Sequence, residues 1–569
     1  MRYLITSSAV VLAVAGLSAA QSDPANFSTV LNIGPGQPDG TSIGNNQSIG
    51  SDTQLNLFDG GSIGREFDAG LASGTGSNTE VNLFGGSVAT RFDAFAGTSV
   101  LLDGALTSTN TGFRDGSSLL MRSGVLGFSA DFFSGSTALF EGGLIQSACR
   151  FTSGSTAVIA GGRFQSATDI QAGADVTFRG DDFRLDGVPI TDLAGGLPDD
   201  AVFSGVYESG EPFVFSSYQP EEIAAGSVTL VSVSPAVSTT PAVLSSGIFE
   251  QGVRPGESLT ITGTGELIEA ASIIDASVVV DGGAIGEEVR IARSDIRLVD
   301  GVIGGNSEAY DSMIRVEGGL IDFQFEALRS TLIFSGGQIQ SESRAEDGSI
   351  VTVTGGTFLG EFEVRDGSQF SITSGTIGQE FEVQDSSFRM DGGTLDEGSS
   401  FGNAVAIVTA GTLAGDLNIG DSATFHLSGG SLGPDIEVDG DGSLAIYGSN
   451  FTLGGGLVPG LVVGAPTTIT DRDTILRGNL ADGTAFEIDL DDRDVDDDAT
   501  VTVTAVEAGC QVAHLAIPRT TIEYYDHVEL LDRIAGDSSA ADFNGDGSID
   551  AADITAALQA ATAGCSLPF

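Results

Sequence analysis

At 569 residues the chain has room for several domains and a large buried core. Its 23 basic residues are all arginine and face 78 Asp and Glu; a net charge of -55 excludes nucleic acid and anionic lipid as partners and favours cations or basic surfaces. Glycine at 81 residues with 15 prolines and a 41% hydrophobic fraction excludes both a collagen-like chain and a disordered linker.

The N-terminus carries Arg2, an apolar run from Leu4 to Leu17, then Ser18, Ala19 and Ala20. This pattern predicts a secretory signal over 1–20, too short to span a bilayer, and a protein released outside the cytoplasm with no membrane insertion.

From 21 to 190 a phrase recurs: two alternating apolar residues, a glycine-rich pair, one apolar residue. Taking the second member of the pair as a marker gives Gly86, Ala105, Gly124, Gly143, Gly162 and Asp181, each 19 apart. Two residues on stand Val88, Thr107, Leu126, Ile145, Phe164 and Phe183, and eight on stand Phe113, Phe132, Phe151 and Ile170. Alternation with period two predicts strands, and the glycines predict corners between them. Cys149 falls in an inward column and is expected to be a buried small residue, not a reactive thiol.

Residues 191–244 break the period and predict a β-rich cap or linker. The phrase resumes over 245–455 with markers Gly283, Gly301, Gly319, Gly337, Gly356, Gly375, Gly393, Gly411, Gly430 and Ser449, at steps of 18 or 19. Pairs such as Leu332 with Phe334 and Phe370 with Ile372 precede the marker, and a third short strand follows, as in Phe362 with Val364. One repeat is then one coil, and coils stack about 4.8 Å apart. A second cap is predicted over 456–507, because Asp473, Ile475, Gly478, Gly483 and Phe486 echo Asp200, Phe203, Gly205, Gly210 and Phe213. Caps shield the last coil's unpaired edge. The whole resembles the parallel β-helix (β-solenoid) class of secreted bacterial proteins over roughly residues 45 to 455, a mainly β fold of two arrays.

The β-helix class often hosts polysaccharide lyases and hydrolases, so outward residues matter. Seven after the marker stand Glu326, Glu363, Glu382, Asn418 and Glu437, either a stripe for cations or glycans or a hydrated solubilising face. His426 lies between inward Phe425 and Leu427 and is expected to face solvent. The acidic run Asp489, Asp491, Asp492, Asp494, Asp496, Asp497 and Asp498 reads as a solvated loop that binds calcium at most nonspecifically. No catalytic set emerges.

Over 508–569 the character changes. Asp542, Asn544, Asp546, Asp550 and Asp553 occupy positions 1, 3, 5, 9 and 12 of a calcium loop, Gly547 takes position 6, and Ser548 offers its backbone carbonyl. Ile554, Ala557, Leu558 and Ala561 then recur at helical spacing. Asp553, where an EF-hand usually has Glu, makes the segment similar to a dockerin half. Upstream, Leu515, Ile517 and Arg519 stand where further ligands belong, so one calcium ion is expected. From Cys510 to Cys565 the segment resembles GC-type dockerin-like domains. The resemblance implies a small α-helical module, a disulfide between Cys510 and Cys565, and docking to a cohesin-like or envelope partner. The expectation is a secreted or cell-surface structural or adhesive protein, possible ligands including polysaccharide, and the competing one is a polysaccharide-active enzyme on a solenoid face.

Overall fold

A computed structural model describes residues 24–506, apart from 71–77, 166, 219–221, 397, 421, 434, 492 and 497. The leader expected over 1–20, the α-helical module and calcium loop expected over 508–569, and Cys510 and Cys565 lie outside the described residues. Within them the chain is β throughout, its one helix being the short turn Pro24–Asn26. Two compact units divide it, 1–314 and 315–569, and the division falls inside the second array.

In the first unit a wide parallel sheet runs through Thr29–Ile33, Thr53–Leu57, Thr79–Leu83, Thr98–Thr107, Ser118–Leu126, Thr137–Ile145, Thr156–Phe164 and Asp175–Leu185. A narrow sheet stacks Phe67–Ala69, Phe92–Ala94, Thr111–Phe113, Ala130–Phe132, Arg150–Phe151 and Asp169–Ile170. Their inward side chains close one continuous core holding Leu57, Leu83, Leu102, Met121, Phe140 and Ile159 from the wide sheet. Phe132 lies flat between Phe113 (centroids 4.7 Å apart) and Phe151 (4.9 Å), so the rings repeat at the coil rise.

Two features differ from the expected coil. The solenoid starts earlier than the markers, with steps of 24 and then 26 residues before the 19-residue step sets in. The glycine pair ends the wide strand in some coils, as expected, between Thr79–Leu83 and Ser87–Val88 for example, but from Thr98–Thr107 to Asp175–Leu185 it bends the strand instead of ending it, with a register shift between Leu102 and Leu106. At the bend Gly124 has φ +90, and a Cβ there would lie 2.4 Å from the Ala105 carbonyl oxygen of the coil below. Only a residue without a side chain lets successive bends approach that closely.

The true corners are made otherwise. Arg91, Asn110, Ser129, Ala148 and Ala167, one per coil, all sit at positive φ between 61° and 64°. At the opposite corner each N–H of Gly97, Gly116, Gly135 and Gly154 donates to the matching carbonyl one coil on, at 2.8–3.1 Å. Serines do similar work in the second array: Ser294 Oγ accepts from Ala276 N–H and Ser312 Oγ from Ser294 N–H, both at 3.1 Å. Buried corner amides are thereby satisfied.

The first array ends in a reversal. Asp175–Leu185 pairs antiparallel with Val188–Pro189 and with Val202–Tyr207, which hairpins into Pro212–Ser216; Val228–Ser232 then returns parallel to Asp175–Leu185. Coils of the second array follow in the same unit, through Ser258–Leu267, Ser277–Ile285 and Asp295–Ile303. The cap hairpin is tied to them: Arg290 Nη1 donates to Val214 O (2.7 Å) and Arg293 Nη2 to Ser204 Oγ (3.1 Å).

The second unit repeats the plan. A wide sheet includes Thr331–Ile339, Ile350–Phe358, Ser387–Leu395, Val405–Leu413 and Ser443–Leu453, and a narrow one Glu326–Leu328, Ser343–Glu346, Phe362–Val364, Phe381–Gln384, Ser399–Gly402, Leu417–Gly420 and Ile436–Val438. It ends on the same reversal, through Gly456–Leu457, Ile475–Leu480, Ala485–Asp489 and the parallel return Thr500–Ala505. Each cap presents a carboxylate to a glycine N–H of its array: Glu211 to Gly162 and Asp482 to Gly430, both at 2.7 Å.

Candidate functional site

The outward column of the second unit's narrow sheet is the first candidate. Its register is Glu326, Arg344, Glu363, Glu382, Ser400, Asn418, Glu437. Strand alternation turns these side chains away from the lumen, where Ala327, Ala345, Val364 and Val383 pack. The predicted stripe of like charges is therefore corrected: Arg344 interrupts it between Glu326 and Glu363.

Further arginine neutralises it. Arg344 pairs with Glu326 and, at 3.3 Å, with Glu346. Arg365 reaches Glu363 (2.7 Å) and Glu382 (3.3 Å), bridging the one like-charge step in the column. Burial opposes the charge on Arg344, but Glu326, Glu346 and Glu363 together hold its guanidinium above its ordinary value. Burial pushes the Glu363 carboxyl up, against the pull of Arg365 and with help from Glu382. Further on, Asn418 Nδ2 donates to Glu437 (3.2 Å) and Asp439 (2.6 Å). The face is thus a self-paired ladder. Arg344 was readable in the sequence, seven residues after Gly337; Arg365 stands two further along its own coil.

The acidic run after the strand Ala485–Asp489 forms an anchored turn. Asp491 accepts from the N–H groups of Arg493 (2.9 Å) and Asp494 (3.2 Å) and pairs with the Arg493 guanidinium. Asp496 accepts from Gly440 N–H at 2.9 Å. Burial pushes Asp494 up, and Asp491 and Asp435 add to it. Asp492 and Asp497 lie outside the described residues.

His426 departs from its expected place in solvent. It does point away from the lumen, but its side chain is half-buried and Nδ1 lies 2.9 Å from the Tyr447 hydroxyl, with the rings stacked. Cys149 is fully buried as a free thiol, and burial pushes its pKa far up, so it is inert as a nucleophile.

Sequence reasoning missed a buried polar cluster in the first unit. Arg290, Glu308 and Tyr310 are all buried, with Arg290 Nε 3.4 Å from Glu308 Oε2 and the Tyr310 hydroxyl bonded to the same carboxylate. Burial raises the Tyr310 pKa well above its ordinary value and the Glu308 charge adds to this. Arg290 and Glu308 stand seven after Gly283 and Gly301, in the same outward column as Glu326, but the column does not reveal their burial, because the lid is the Pro212–Ser216 hairpin, contributed by the preceding cap.

Among the described residues, no three His, Cys, Asp or Glu side chains are grouped so as to hold a metal ion, and no helix is long and apolar enough to cross a membrane. Asp542, Asn544, Asp546, Ser548, Asp550 and Asp553 lie beyond them. In comparisons with known proteins the chain matches no family model, no curated protein and no solved structure.

Proposed function

We propose that this protein is a secreted or cell-surface structural or adhesive scaffold, its parallel β-solenoids displaying charge-paired faces and its C-terminal segment docking it to an envelope or cohesin-like partner. The observation that carries the reading is the Glu326–Arg344–Glu363–Arg365–Glu382 ladder. Its charged groups are matched along the coil axis, which suits a stable display surface more than a converging set of reactive groups. Incubation of the full chain with acidic polysaccharides and calcium tests it. Release of unsaturated or reducing ends overturns the scaffold reading in favour of a polysaccharide-active enzyme.

The docking role rests on the calcium loop of the dockerin-like segment. Asp542, Asn544, Asp546, Asp550 and Asp553 supply side-chain oxygens and Ser548 a backbone carbonyl, a hard-oxygen set suited to one calcium ion. The Cys510–Cys565 disulfide belongs to the same reading. Calorimetric titration of the full chain should give one tight calcium site that Asp546→Ala removes, leaving only weak acidic-surface binding. Identical titrations for both proteins refute the loop.

A further inference from the structure

Both arrays end on an antiparallel reversal, but the second array begins without one. Its first strand, Val243–Phe249, pairs parallel with Ser258–Leu267 and, among the described residues, with no strand on its other side. Ala242 O accepts from Thr260 N–H (3.0 Å) and Phe249 O from Ile268 N–H (3.1 Å), so alternation turns the main-chain groups of Val243 and Ile248 to the free edge.

The side chains around this edge are exposed as well. In the lumen column Leu244 aligns with Ile261, Val280 and Leu298. Those three are fully buried, whereas Leu244 is only half-buried. Val243 and Ile248 are 58% and 57% exposed, and a Cβ added at Gly247 would meet nothing within 4 Å. Free edges are commonly guarded by charged side chains. This strand has none: from Ile223 to Phe249, 27 residues between Glu222 and Glu250, the sequence holds no charged residue.

We infer that this edge is an interface between two copies of the chain, which pair antiparallel through Val243–Phe249 about a two-fold axis. The open end of a lumen is best covered by a surface of the same apolar cross-section, and the first coil of a second copy has it. A two-fold axis sets the strand against its own reverse, so the free N–H and C=O groups of Val243 and Ile248 face a strand with the same groups to offer. Copies of net charge -55 repel each other wherever their carboxylates meet, and the uncharged stretch is where that repulsion opposes main-chain pairing least. Pairing closes the edge and covers Leu244, Val243 and Ile248.

Sedimentation equilibrium of the full chain tests this over a concentration series at about 0.1 M and about 1 M salt, where the screening length falls from about 10 Å to about 3 Å. A dimer should form, more tightly at the higher salt. Val243→Glu/Ile248→Glu puts like charges on the edge at two exposed positions and should leave a monomer. Val243→Pro, which removes an N–H unused within the described chain, should weaken the dimer too. Val188→Glu, at a site 64% exposed and away from the edge, should dimerise as the wild type does. Far-ultraviolet circular dichroism checks that each variant is folded. A wild-type monomer at every concentration and salt overturns the inference. So does a dimer that salt weakens, that Val188→Glu also abolishes, or that survives unchanged in a folded Val243→Glu/Ile248→Glu or Val243→Pro chain.

Discussion

Phe132 and Phe133 are neighbours in sequence and opposites in environment, so the pair tests the coil directly. Phe132 is fully buried, flat between Phe113 and Phe151 and edge-on to Phe140 at 5.7 Å. Phe133 is half-buried on the outside, under the Arg114 guanidinium at 4.1 Å. Truncating a buried phenylalanine costs about 3–5 kcal/mol, and the two stacked partners place Phe132→Ala in the upper half of that range. Phe133→Ala loses one exposed cation–π contact, about 0.5–1 kcal/mol. Denaturant unfolding followed by far-ultraviolet circular dichroism reads the totals. Amide exchange should locate the Phe132→Ala loss in the coils carrying Phe113, Phe132 and Phe151, because repeat stability is a sum of nearest-neighbour terms. Equal effects from both variants, or a Phe132→Ala cost below about 1 kcal/mol, would falsify the packed lumen.

Other predictions follow from the same geometry. Gly124→Ala should destabilise by on the order of 1–3 kcal/mol, through its positive φ and its clash with Ala105 O; Ala148→Gly, at an exposed positive-φ corner, should be neutral or stabilising by up to about 1 kcal/mol in the same unfolding assay. Arg290→Met should cost about 3–5 kcal/mol by stranding the buried Glu308 charge. Arg290→Met/Glu308→Gln should recover part of it, and a double variant no better than the single refutes the charge argument. For Glu363 the folded pKa lies above the ordinary 4.5, so its contribution is fully present below pH 4.5 and is lost as pH rises through the folded value. Relative to Glu363→Gln, the wild type should therefore gain stability as pH falls from neutral towards 4.5, and denaturation midpoints at both pH values check the sign.

The coil was legible wherever a side chain has to be apolar. Val88, Leu126, Ile145, Phe151 and Ile170 stand buried in the columns the markers assign, and so do Ile339, Phe358 and Leu395 in the second array. The first coils escaped because a fixed 19-residue step cannot register loops that lengthen a coil to 24 or 26 residues. A signal was present: Asn56-Leu57-Phe58 returns as Asn82-Leu83-Phe84, and Gly60-Gly61-Ser62-Ile63 as Gly85-Gly86-Ser87-Val88. The corners were illegible for a different reason. Left-handed backbone usually announces itself through Gly or Asn, but here Arg91, Ser129, Ala148 and Ala167 adopt it as well as Asn110, held there by the stacking of coils and not by local preference.

Alternation tells which residues face outward but not what lies opposite them, and this limits how far a site can be read from columns alone. Glu326, Glu363 and Glu382 look like accumulated negative charge until Arg344 and Arg365 are placed between them one coil apart. Leu101, Leu120 and Leu139 occupy a column that elsewhere holds Thr352, Ser371 and Arg389, so the repeat itself does not require them to be apolar. Leucine there packs on the leucines of the neighbouring coils into a cluster apart from the lumen core, a contact between coils that threonine or arginine gives up. The apolar choice is therefore open to the coil and not demanded by it, and this separates the outward column from the lumen columns, whose hydrophobicity the fold already explains.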